Sequence, residues 1–246
     1  MKIVVLAGGL SPERNVSLST GTMVTEALRA LGYRAGLIDL YFGLETGGAD
    51  EAFFDAPVSE AYKKISREAP DLDQVRRGRK GDSPSMFGPG VLELCRMADM
   101  VFLALHGTCG EDGRVQAAFD LMGIPYTGAG YLGSAIAMDK DLTKRLVAPR
   151  GVRTPAWETL EYLAEDIGAI VQTASLPCVI KPIDSGSSIG VYICRTQEEL
   201  TAALEQGLKL GGRSVLEQYI AGREVQIAIL EDQALPSIAV SYTHLR

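Results

Sequence analysis

The chain is 246 residues long, 46% apolar and 22% charged, with a net charge of -7. That is the balance of a soluble globular protein with room for one large domain or two ordinary ones, and the acidic surplus argues against general binding to nucleic acid or an anionic membrane. No apolar run approaches the ~20 residues of a membrane span, the run at residues 3–7 is far too short for a signal peptide, and four cysteines without a C-x-x-C pair read as reduced thiols and not as a zinc or redox site; a cytoplasmic protein is expected.

Taken in chain order, residues 3–7 (IVVLA) form a continuous apolar run ended by Gly8 and Gly9, the pattern of a buried parallel strand. After a polar loop, Val24, Ala27, Leu28 and Leu31 fall on one helical face and Gly32 supplies the stop. Residues 35–38 read as a second strand, which completes a strand–helix–strand unit of an open parallel sheet. Residues 41–89 are charged, rich in glycine and weakly periodic, and read as an irregular insertion with one helix near 59–65. Order returns with a helix at 91–95, a strand at 100–105, a helix near 115–122 ended by Gly123, and a short strand at 124–126. Gly128-Ala129-Gly130 is a plausible boundary. Beyond it come a helix over 138–148, strands at 179–181 and 191–194, a helix from Glu198, a strand at 214–217, and two strands at 225–230 and 234–240.

Five features could carry chemistry. Gly8 to Arg14 (GGLSPER) lies where a strand feeds a helix, on the ligand edge of an open α/β sheet, and Glu13 could hold an ammonium group there; taken alone, the loop is more often an ordinary tight turn with a solvated acid. His106, in HGTCGEDG after the next central strand, could orient a carboxylate, although a lone histidine is more often structural; Glu111 and Asp112 beside it read as a charged surface turn. Lys140, in the Met-Asp-Lys run, and Lys181, in Val-Ile-Lys-Pro, are point cations suited to phosphate oxygens. Between strands lies DSGSSIG, residues 184–190, whose backbone N–H groups and hydroxyls could wrap a polyphosphate. It formally matches the G-x-S-x-G of a serine hydrolase at Ser188, but that elbow requires a following helix and here a strand follows. Last, Glu217, Gln218, Tyr219 and Ile220 run from a strand toward Glu224, a connector able to meet adenine and ribose.

In this order the features resemble the D-alanine–D-alanine ligases of the ATP-grasp superfamily, over about residues 1–239. The carrying segments are GGLSPERNVSLSTG, LALHGTCGEDGRVQAAFDLMGIPYTGAGYLGSAIAMDK, VIKPIDSGSSIGV and LEQYIAGREVQIAIL. The resemblance implies an α/β chain: an N-terminal open parallel-sheet domain at 1–128, a central ATP-grasp subdomain at 129–215 and the start of the C-terminal ATP-grasp subdomain at 216–246. It implies that Glu13 anchors the ammonium of a first D-alanine, that His106 lies near its carboxylate, and that Lys140 and Lys181 hold ATP phosphates. Ser187 and Ser188 would close over the phosphates, with Ser187 linked to Glu13, while Glu217, Glu224 and the backbone of Gln218, Tyr219 and Ile220 would hold adenine and ribose. ATP would phosphorylate one D-alanine carboxylate, and the amine of a second would displace phosphate from that acyl phosphate, for peptidoglycan precursor synthesis.

The family pattern continues further, with an arginine and the ligands for magnesium (or manganese) beyond this point, so no metal ligand is expected in this chain and the fragment alone is expected to be inactive. Residues 240–246 (VSYTHLR) do not look like family sequence and are expected to be non-native. The second substrate stays open between D-alanine, D-lactate and D-serine. A non-catalytic binding module of the same fold is the alternative reading, and a homodimer is left open.

Overall fold

In the computed structural model the described residues are 1–44, 48–63, 70–186 and 189–240. They divide into two compact units, one formed by residues 1–153 and 181–191, the other by 154–180 and 192–246.

The first unit is built on a three-stranded parallel sheet. Strand β1 (Lys2–Ala7) lies at its centre, between β2 (Arg34–Asp39) and β3 (Met100–Leu103). Its register pairs Lys2 with Arg34 on one side and Ile3 with Met100 on the other. Side chains alternate across a strand, so β1 feeds two cores. Val4 and Leu6 join Phe54, Val91, Leu94, Cys95 and Phe119 on one face, while Ile3, Val5 and Ala7 join Leu18, Ala35 and Ala104 on the other. An apolar run without alternation is what burial on both faces requires.

Helix α1 (Arg14–Ala30) returns the chain from β1 to β2. Of the face expected from sequence, Val24 and Leu28 are half-buried and pack against the core around Ile3, Val5 and Ala7. Ala27 is exposed and Leu31 is 74% exposed, while Ser17, Leu18, Gly21, Thr22 and Thr25 are buried. A Cβ on Gly21 would stand 2.7 Å from Ala7 Cβ and 2.8 Å from Leu37 Cδ1, so small residues let the helix approach the sheet closely. The hydroxyls of Thr22 and Thr25 donate to the carbonyls of Leu18 and Gly21, which satisfies them locally.

Within the insertion are two 3-10 turns, Glu51–Asp55 and Glu60–Lys63, and helix α2 (Leu72–Gly78), which Asp71 caps. The helix expected near 59–65 is a 3-10 turn as far as Lys63, and its remainder lies outside the described residues. Helices α3 (Val91–Met97) and α4 (Arg114–Met122) flank β3. The short strand expected at 124–126 is a single bridge from Tyr126 to Val101. The helix expected over 138–148 is α6 (Lys140–Val147), and a further helix, α5 (Tyr131–Met138), precedes it; Asp139 separates the two, leaving helical geometry and capping α6 by accepting from Leu142 N at Oδ1, 2.8 Å.

The second unit is a four-stranded sheet of order β4-β7-β5-β6, formed by β4 (Trp157–Glu161), β5 (Cys178–Pro182), β6 (Tyr192–Cys194) and β7 (Arg213–Gln218). Helices α7 (Ile167–Thr173) and α8 (Gln197–Lys209) pack together, and Leu160, Ile180, Leu200, Leu204 and Leu216 fill the core. Beyond β7 the chain makes four two-residue strands, β8 (Val225–Gln226), β9 (Ile229–Leu230), β10 (Gln233–Ala234) and β11 (Ile238–Ala239), in place of the two longer strands expected. Among the described residues no helix is long and apolar enough to cross a membrane.

Candidate active site

In the first unit β1 is bonded to β2 on one side and β3 on the other, so the chain order reverses at β1. In an open α/β sheet the crevice at such a reversal, beyond the strands' carboxyl ends, is where ligands bind. Two of the proposed loops lie there, residues 8–13 after β1 and 105–113 after β3.

Glu13 is the residue just before α1, and its carboxylate lies where a helix N-terminus favours negative charge. A Cβ built on Gly107 would stand 2.8 Å from Glu13 Oε2 and 2.6 Å from Ser11 Oγ; one on Gly186 would stand 3.0 Å from the same Oε2. The structure therefore brings together the acid after β1, the histidine-bearing loop after β3 and the loop after β5. Gly107 has φ of +71°, a conformation open to glycine at little cost.

His106 Nε2 lies 3.4 Å from Thr20 Oγ1 on α1, and its Nδ1 lies 3.9 Å from Glu111 Oε1. Glu111 Oε2 accepts from Gly107 N at 2.7 Å, and Asp112 accepts from Cys109 N and Arg114 N at 2.9 and 3.2 Å. These two acids are thus not a free surface turn: they fix the loop's path, and Glu111 faces the histidine. Gln116 adds a third brace, Nε2 donating to Gly110 O at 2.7 Å.

Lys140 opens α6 directly after its cap. Its backbone N–H donates to Ile183 O at 3.1 Å, and its Nζ donates to Ser185 O at 2.6 Å and Ile183 O at 3.3 Å. The ammonium group thus grips the base of the glycine- and serine-rich loop. Lys181 is half-buried on β5, immediately before that loop. Ser187 and Ser188 lie outside the described residues. A strand, β6, follows the loop, which is not the helix that a hydrolase elbow needs.

In the second unit Glu217, Gln218 and Tyr219 line a cavity of about 550 Å³ together with Trp157, Pro177 and Cys178. Glu217 is buried. The N–H groups of Gln218 and Tyr219 donate to Ala156 O (2.9 Å) and Pro177 O (3.3 Å), so a bound base can meet only carbonyl groups from these two backbone units. Ile220 and Glu224 are exposed beyond the cavity rim.

All four cysteines are buried free thiols. Burial pushes Cys95 and Cys194 up to about 12 and raises Cys109 and Cys178 as well, so none is a nucleophile at neutral pH. Sequence reasoning missed Arg14, Asp39, Thr20, Glu111 and Trp157. Arg14, Asp39, Thr20 and Glu111 act through a neighbour distant in the chain or through backbone atoms, and Trp157 only lines the cavity, so none leaves a motif to read.

An N-terminal open parallel sheet with ligand loops at its reversal point, followed by a four-stranded sheet with antiparallel pairs and a cavity at the end of β7, is the ATP-grasp ligase class of α/β fold. The family model for the D-ala D-ala ligase N-terminus matches residues 2–129, and that for the C-terminus matches residues 147–244. The D-alanine–D-alanine ligase of Pediococcus pentosaceus is 41% identical over 243 residues, covering 98% of this chain and 68% of the relative; that of Lacticaseibacillus casei is 38% identical over 242 residues, covering 98% and 67%. The structure of the Bacillus anthracis ligase complexed with ATP superimposes with a TM-score of 0.67 at 28% identity, covering 99% of this chain and 67% of that one. The chain belongs to the D-alanine–D-alanine ligase family. It spans about two thirds of the length of the curated relatives it matches. The second match runs to residue 244, into the 240–246 segment set apart on sequence, of which residues 241–246 lie outside the described ones.

Proposed function

We propose that this chain supplies the first-substrate and nucleotide parts of a cytoplasmic enzyme that joins two D-alanines at the expense of ATP, for peptidoglycan precursors. The observation that carries the reading is the Glu13 carboxylate held against Gly107 and Gly186. An acid facing glycine backbone on two sides suits the ammonium group of a small amino acid and leaves little room for a larger one. His106, braced by Thr20 and Glu111, is the group that would face the substrate carboxylate.

The γ-phosphoryl group passes to a carboxylate oxygen of the first D-alanine, giving an acyl phosphate and ADP. The amine of the second attacks the carbonyl carbon, the C–O bond to phosphate breaks, and phosphate leaves as the peptide bond forms. A carboxylate oxygen is a poor leaving group and phosphate a good one, so the protein's part is positioning and charge neutralisation. Lys140 and Lys181, flanking the 183–190 loop, would meet the phosphates, and Glu217 to Ile220 with Glu224 would meet adenine and ribose. Magnesium is the counter-ion that phosphoryl transfer calls for. Among the described residues no three His, Cys, Asp or Glu side chains gather as a metal site, so no residue of this chain is assigned to it.

Trp157 is the only tryptophan and lines the cavity, so its fluorescence reports occupancy. Titration with ATP should change that signal saturably, and calorimetry should detect D-alanine but not L-alanine. A flat tryptophan signal and no heat with D-alanine would refute the proposal. With the part of a relative that lies beyond the matched region appended, ADP release should depend on D-alanine and magnesium together.

A further inference from the structure

Beneath the loop that carries Glu13 lies an ion pair with almost no access to water. Arg14 Nη2 donates to Asp39 Oδ2, with side-chain exposures of 8% and 3%. Arg14 Nη1 donates to Gly9 O at 2.8 Å, and its guanidinium stacks 4.7 Å from the centre of the Phe42 ring. Asp39 Oδ1 accepts from the backbone of Tyr41 and Phe42 at 2.8 and 3.0 Å. A Cβ on Gly8 would stand 2.3 Å from Asp39 Oδ2, so the carboxylate occupies space that only glycine leaves. Ser17, one turn into α1, accepts from Gly8 N at 2.8 Å and donates to Ala104 O at 2.7 Å.

A buried ion pair is a weak source of stability, since an apolar pair of similar volume is often as good or better. What it has that an apolar pair lacks is direction. The planar guanidinium forks between one carbonyl and one carboxylate, which fixes Gly9 on one side of Glu13 and Arg14 on the other. Asp39 in turn is tied to the backbone that leaves β2. The loop from β1 to α1 is thereby held at both ends against β2.

We infer that Arg14 and Asp39 are positioning residues for the first substrate: the pair holds the 9–14 backbone so that the Glu13 carboxylate faces Gly107 and Gly186. This rests on the reading of Glu13 as the ammonium anchor. Neither residue touches substrate in this assignment.

The test measures D-alanine affinity by calorimetry and ATP affinity by Trp157 fluorescence in the wild-type chain, in Asp39→Asn, and in the double variant Arg14→Met/Asp39→Leu. Asp39→Asn keeps the shape and the acceptor for Tyr41 and Phe42 but removes the charge. It should weaken D-alanine binding about tenfold or more, since small misplacements of a binding group are costly, while ATP affinity stays within about twofold of wild type. The double variant removes both charges and should remain folded by thermal unfolding, with D-alanine affinity still lost. A folded double variant that binds D-alanine like wild type would overturn the inference, as would an Asp39→Asn chain that loses both affinities equally. Should the wild-type chain bind ATP but not D-alanine, it is the reading of Glu13 that fails.

Discussion

The carboxylate of Glu13, at the start of α1, lies against the α-carbon of Gly186, in the loop after β5: a Cβ placed there would be 3.0 Å from Oε2. Gly107 closes on the same oxygen from the loop after β3. Three loops that are remote in sequence therefore share one carboxylate.

Gly107→Ala combines two penalties. A left-handed backbone costs an L-residue roughly 1–2 kcal/mol, and the new methyl would press on Ser11 Oγ and Glu13 Oε2. Chemical denaturation should register the first, and calorimetry should show D-alanine affinity reduced about tenfold or more. ATP-induced quenching of Trp157 should be unchanged, because Trp157 and its cavity belong to the other unit.

Gly21→Ala tests the close approach of α1 to the sheet. Its methyl would stand within 2.8 Å of Ala7 and Leu37. Overpacking of this kind costs about 1–3 kcal/mol, in spite of the gain in helix propensity. An unchanged or higher melting temperature would contradict the packing described.

Asp39→Ala removes one member of a buried ion pair and leaves Arg14 charged and without its carboxylate. The expected cost is about 3–5 kcal/mol, measured by urea unfolding. Arg14→Met/Asp39→Leu should recover most of it, because no lone charge remains.

Asp139→Ala deletes the cap of α6 and should cost about 1 kcal/mol. Lys140 follows the cap directly and grips Ser185 O, so the same variant should weaken ATP binding. Asp139→Ser or Asp139→Asn, which can still cap, should restore both.

Cys95 titrates near 12 in the folded protein because burial disfavours its thiolate, against an ordinary 9.0. The folded state therefore holds the proton that the unfolded state releases above pH 9. The sign is that this contribution is fully present below pH 9 and is lost as pH rises toward 12. Urea midpoints should accordingly fall over that window, and Cys95→Ala should fall less steeply. Alkylation of the native chain at pH 8 should be slow and become fast in denaturant.

Much of the architecture follows from local pattern. The continuous run at 3–7 can be satisfied only by burial on both faces, and β1 is so buried. Asp139 before Lys140 signals a helix start, and the helix read over 138–148 is α6, whereas α5 just before it was not legible in the sequence. The aliphatic face expected on α1 holds in part: Val24 and Leu28 pack against the core, while Ala27 and Leu31 face solvent. The closest approach to the sheet is made by Gly21, which hydropathy scores poorly. The candidate site was legible only as loops and residue types: an acid after β1, a histidine after β3, two lysines, and a strand end with Glu217.

What the sequence determined by itself, then, was which chemical groups stand at the ends of which strands, because strand burial and turn residues are set by near neighbours. Only the tertiary structure decided that Arg14 answers to Asp39, that Glu111 faces His106, and that Gly107 and Gly186 close on one oxygen of Glu13. Those pairings depend on strand order and on how closely loops approach. Such distances arise from packing over the whole unit, and no local propensity encodes them.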